Sequence, residues 1–179
     1  MSVATCIARL KDDTRGVALV EFACVLPVLL LMYLAGYQLA DALSCNRKVT
    51  ITTRAVADLT TQNSTITPTQ LSTILNASTQ IMAPYNASNA LVRVSELSTD
   101  TNGNTTVVWS NDNRGSGGRA VNSSYTLPAS IKVNGSFIIL SEVTYAYKPA
   151  VSFGIVGPLS LADKIYMNPR VSNSVDMSS

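Results

Sequence analysis

The chain has 179 residues, 13 lysines and arginines against 11 acids, a net charge of +2 and no histidine. The missing histidine removes Ser–His–Asp and Cys–His catalysis and the commonest metal ligand. So small a charge, with no basic face, leaves no footprint for nucleic acid.

Residues 1–16 form a short polar leader carrying Arg9, Lys11 and Arg15 with Asp12 and Asp13. The nineteen residues from Phe22 to Ala40 hold one strongly polar side chain, Gln38, and no charge until Asp41. As a helix they reach about 29 Å, enough to cross a hydrocarbon core. The apolar run is longer than that of a cleaved secretory signal, so the helix is expected in the mature chain. Pro27 lies inside it and removes one backbone donor, which predicts a kink or local opening. Positive charge does not orient the span. Arg9, Lys11 and Arg15 precede it, and Arg47, Lys48 and Arg54 follow it.

Glu21 stands at the start of this apolar run, five positions after Gly16. A carboxylate costs about 3 kcal/mol at mid-bilayer and less near an edge, so a lone acid there is a functional candidate. Cutting after Gly16 would free an α-amino group on Val17 with a pKa of about 8. That cation can neutralise Glu21 of a neighbouring subunit, and a paired buried acid is tolerable where a lone one is not. Glycine before the cut is expected to leave an extended, unhindered backbone for a protease. The plainer alternative is a signal-anchor helix whose acid snorkels to the interface.

The helix is expected to continue to about Thr60. Leu39, Leu43, Val49, Val56 and Leu59 recur at helical spacings, with threonines at 50, 52, 53, 60 and 61 interrupting the pattern. Cys6 falls in the leader and Cys24 in the span, which leaves Cys45 without an intramolecular partner. Cys45 reads as a small apolar helix position, with a bridge between two subunits as the alternative.

Thr61 to Pro68 reads as a linker. Thr67 and Pro68 then begin a helix as N-cap and first helical residue, with Leu71, Ile74, Leu75, Ala77 and Ile81 on one face and Pro84 ending it. Leu91 to Leu97 and Thr105 to Trp109 flank Asn102-Gly103 as a hairpin. Asn111 to Ser124 is rich in Gly, Ser and Asn and is expected to be a mobile loop. Ile131 to Val133, Asn134-Gly135 and Phe137 to Tyr147 suggest a second hairpin, with Val143, Tyr145 and Tyr147 on one face. Phe153 to Ile165 has no clear pattern, and Met167 to Ser179 is expected to be extended or frayed.

Other motifs carry less. Gly115 to Gly118 between Arg114 and Arg119 lacks the Gly-Lys-Ser/Thr ending of a phosphate loop. Asp100 to Asn104 and Asp112-Asn113 lack the spacing of a calcium loop and read as turns. Six Asn-x-Ser/Thr triplets occur, at Asn63, Asn76, Asn86, Asn104, Asn122 and Asn134, in keeping with a chain rich in small polar residues. No cofactor, metal or small-molecule substrate is expected, and the chain reads as a non-enzyme.

The stretch from Gly16 through Glu21-Phe22 to Ala23, followed by Leu26-Pro27 and Leu29 to Leu31, resembles the TadE-like pseudopilins, minor pilins of the bacterial tight adherence (Tad, or Flp) pilus. Glu142 to Tyr147 resembles the family's Val-x-Tyr-x-Tyr strand, and Asn168-Pro169-Arg170 its closing Arg-Pro-Arg element. The resemblance implies an α+β, pilin-like fold: leader 1–16, transmembrane and amphipathic helix 17–60, and an antiparallel-sheet head at 61–179. It implies processing at Gly16–Val17 by a prepilin peptidase, and registry among pilins and pseudopilins through Glu21 and Phe22. It further implies partners in the pilus assembly machinery, and an inner-membrane placement with leader cytoplasmic and head periplasmic. The competing reading is a signal-anchored periplasmic binding or adhesin module that enters no filament.

Overall fold

The computed structural model describes residues 15–116, 118–149 and 158–178. The leader before Arg15 and the stretch 150–157 lie outside them.

Helix α1 spans Arg15–Thr61 as one element of 47 residues, about 70 Å long. Pro27 does not end it. Strand β1 (Thr65–Ile66) and helix α2 (Pro68–Thr79) follow, then short 3-10 turns at Gln80–Met82 and Ala87–Asn89. Strands β2 (Ala90–Thr99), β3 (Thr105–Asp112), β4 (Phe137–Tyr147) and β5 (Leu159–Met167) form one antiparallel sheet in the order β3-β2-β4-β5. Strand β6 (Asp176–Met177) pairs in parallel with β1. The molecule is thus a long helix with a small α+β head, and α1 packs chiefly across β4 and β5.

Local chemistry explains several elements. Thr67 caps α2 in a reciprocal box: its hydroxyl accepts from Gln70 N, and the Gln70 side chain accepts from Thr67 N. Pro68 sits where its missing N–H costs nothing. Leu71 and Leu75 are buried, whereas Ala77, expected on the same face, is exposed. The β2–β3 turn closes on Gly103, whose φ of 84° suits glycine. Asp100 accepts from the backbone and side-chain nitrogens of Asn104, which hold its carboxyl below the usual range. That carboxylate is occupied by the turn.

The packing face of α1 differs from the expected one. Its buried stripe is Gln38, Ala42, Cys45, Val49, Thr52, Thr53, Val56 and Thr60, while Leu39, Leu43 and Leu59 face outward. Small side chains let the sheet lie close to the helix. The threonines, read as interruptions, belong to the contact face. Their hydroxyls donate to carbonyls one turn back: Thr52 to Lys48, Thr53 to Val49 and Thr60 to Val56, at 2.8–2.9 Å. A hydroxyl satisfied within its own helix can be buried without an orphaned donor.

Three further expectations are corrected. No strand forms at Ile131–Val133; β4 pairs instead with β2 and β5, nine registered residues on each side. Both edges of β4 are thereby taken by longer partners. Among the described residues, the connection from β3 to β4 is tied to the sheet as well. Tyr125, Leu127 and Ile131 pack on Leu97, Val107, Ile138 and Leu140 on the sheet face away from α1. Ser124 bridges Thr106, and Arg119 makes a two-pronged ion pair with Glu142 at 2.8 and 2.9 Å. Finally, the carboxyl-terminal segment is tied down. Trp109 Nε1 donates to the Val175 carbonyl at 2.8 Å, and the Val175 N–H donates to Glu96 Oε1 at 2.7 Å. The expected linker contributes buried Ile66 and strand β1 to the same tie.

Candidate functional site

The first half of α1 stands clear of the head. Every residue from Gly16 to Tyr33 is exposed, including Val17 at 54% and Phe22 at 60%. This helix is long and apolar enough to cross a membrane, and its most apolar stretch buries nothing against the head. So large an apolar surface left in water would be costly, at about 25 cal/mol per Å2. It therefore needs lipid or other helices around it, and it reads as a membrane anchor.

Gly16, Val17, Glu21 and Phe22 lie together on the first turns of this exposed segment. Nothing approaches within 4 Å of where a Gly16 side chain would begin. The Gly16–Val17 peptide is helical, however, not extended as expected. A protease working there would first unwind this turn of α1.

A second cluster sits where α1 leaves the apolar segment. Asp41 is the first charge after the span. One carboxylate oxygen accepts from Tyr147 OH at 2.6 Å and the other from Tyr85 OH at 2.9 Å. The rings of Tyr85 and Tyr145 meet edge to face, 6.3 Å between centroids. Burial, followed by the bond to Asp41, pushes the Tyr147 hydroxyl above its ordinary pKa. Cys45 is fully buried in the same place. Its thiol is pushed up to about 11, first by burial and then by the Asp41 carboxylate. With this packing Cys45 is a core position, as expected, and cannot reach another subunit.

Sequence reasoning placed Tyr145 and Tyr147 on one strand face but did not connect them to Asp41. The available signal was that an acid immediately after an apolar span needs a partner. Among the described residues no group of three Cys, Asp or Glu is placed to hold a metal.

The family model described as TadE-like protein matches residues 16–58, which is α1 almost end to end. The match covers Gly16, Glu21, Phe22 and Pro27 and stops before the head, so the resemblances at 142–147 and 168–170 lie outside it. No curated protein and no solved structure matches the chain.

Proposed function

We propose that this chain, TadE-like along its amino-terminal helix, is a minor pilin that takes part in assembling, priming or capping a Tad-type adhesive pilus. The observation that carries the reading is the exposed first half of α1. It lies within the TadE-like match, holds Glu21 within an apolar surface and makes no use of the head. In this scheme a prepilin peptidase cuts between Gly16 and Val17. The new amine pairs with Glu21 of a neighbouring subunit, and Phe22 packs beside it. The leader faces the cytoplasm and the head the periplasm until the helix leaves the inner membrane for the filament. The role is structural, and the partners are other pilins and the assembly machinery.

The head supports the scheme by being self-sufficient. Its core closes over the second half of α1, so the first half can exchange lipid for helices of other subunits without disturbing it.

Amino-terminal sequencing and intact mass of membrane-extracted protein, with and without Gly16→Leu, test the proposal. A mature terminus at Val17, lost in the variant, supports processing. An uncut leader in both overturns it and leaves an anchored module outside any filament.

A further inference from the structure

We propose that the groove at the membrane-distal end of the head binds a neutral carbohydrate. The groove has a volume of about 750 Å3 and lies between the turn entering β4 and the segment following β5. That size falls within the range of small-molecule sites and suits two or three sugar rings. Its distance from the membrane follows from the chain path. Arg170 N–H donates to the Thr61 carbonyl at 3.0 Å, which places the segment after β5 at the far end of α1. From Ala40 to Thr61 the helix rises about 30 Å.

The lining fits one ligand chemistry. Phe137 and Tyr166 supply aromatic surface, Asn168 and Asn173 amides, and Ser136 and Ser172 hydroxyl oxygens that can accept, their protons being given to the Val133 and Ser174 carbonyls; no lining residue is charged. A phosphate or carboxylate would find no counter-charge in the lining itself; the Lys164 ammonium, 5.9 Å from the Tyr166 ring centroid, is not part of it. A purely apolar ligand would bury amide and hydroxyl groups without replacing their hydrogen bonds with water. A neutral sugar offers both halves of the match. Its C–H faces lie against rings, and its hydroxyls donate and accept as an asparagine amide does. Among the described residues, the Asn168 and Asn173 side chains make no hydrogen bond within the chain, so both amides are open to a ligand.

The groove is also held in shape, which lowers the ordering cost of binding. Tyr166 OH pairs with Tyr125 OH at 2.9 Å. Pro169 follows Asn168 directly, and Arg170 makes an ion pair with Asp58 at 2.8 Å. Beyond Asn173, the Val175 peptide is clamped by Trp109 and Glu96. This inference is independent of whether the chain enters a filament.

The test is saturation-transfer NMR on the full chain in lipid nanodiscs. The probes are cellotetraose, maltotetraose and tri-N-acetylchitotriose at millimolar concentration, with empty nanodiscs as control. Transfer to ring protons of at least one probe is expected, with at least a tenfold loss of affinity in Asn168→Ala/Asn173→Ala. Both asparagines are exposed, so that variant keeps the head fold, which near-ultraviolet circular dichroism verifies. Asn173→Asp, which places a charge on the rim without changing its shape, is expected to weaken binding as well. Absence of transfer from all three probes overturns the proposal. So does transfer that both variants leave unchanged, because the sugar then sits elsewhere.

Discussion

Tyr147 donates its hydroxyl to the Asp41 carboxylate across 2.6 Å, joining the last residue of β4 to the helix where it emerges from its apolar half. Tyr85 reaches the other oxygen of the same carboxylate. One side chain thus ties two separate parts of the head to α1, and the head cannot pivot at that point without breaking both bonds. Hydrogen bonds to a charged acceptor are among the stronger ones, and they hold the angle at which the head stands on its stalk.

Asp41→Ala is therefore expected to destabilise the head by about 2 kcal/mol, because two hydroxyls lose their acceptor. Asp41→Asn, which keeps one acceptor oxygen, should cost less. Denaturant unfolding of detergent-solubilised protein, followed by Trp109 fluorescence, measures both. Equal stability of Asp41→Ala and the parent chain would show that the bonds contribute nothing.

Glu96 gives a pH dependence. Its carboxyl is 1% exposed, and burial raises its pKa, with Val175 and Trp109 opposing in part. An acid that titrates higher in the folded than in the unfolded chain favours folding when protonated. Its contribution is fully present below the unfolded value of about 4.3 and is lost as pH rises through the folded value. Glu96→Gln keeps an acceptor for the Val175 N–H and cannot ionise. Its stability relative to the parent should rise as pH is raised from about 4. Glu96→Ala orphans that buried amide and should cost about 1–3 kcal/mol at either extreme. Parallel stability–pH curves for Glu96→Gln and the parent would refute the assignment.

Cys45 should resist chemistry. With its thiol buried and its pKa pushed up to about 11, the thiolate needed for alkylation is scarce at pH 8. In a Cys6→Ser/Cys24→Ser background, N-ethylmaleimide is expected to label the protein only after denaturation. No disulfide-linked dimer should appear on a non-reducing gel. Rapid labelling of the native protein would mean that α1 leaves the sheet at this point.

The face of α1 can be tested by a matched pair. Leu43→Asn sits on the outward side and should change head stability by no more than about 0.5 kcal/mol. Val49→Asn buries an amide in a full core and should cost about 3 kcal/mol or more. The opposite ranking would restore the face read from the leucines.

For the assembly role, Glu21→Ala is expected to abolish incorporation into sheared pilus fractions while leaving the head fold intact, since Glu21 is exposed and outside the core. Normal incorporation of that variant would dismiss Glu21 as the registry residue.

Short-range chemistry determined much of this protein. The span, the capping of α2 by Thr67, the turn at Gly103 and the approximate extents of β2, β3 and β4 each rest on residues within a turn or two of one another. The exposed segment with Gly16, Glu21 and Phe22 was legible for the same reason, because an acid in an apolar helix is a local anomaly. Tertiary structure alone decided the rest. The buried side of α1 is set by how closely β4 and β5 can approach, which favours Ala42, Cys45 and threonines over the larger leucines that hydropathy ranks first. The tail owes its order to Trp109 and Glu96, each more than sixty residues away. The partners of β4 were chosen by competition among strands, and the longer pairing prevailed. The distal groove exists only because those distant pairings bring the turn before β4 against the segment after β5.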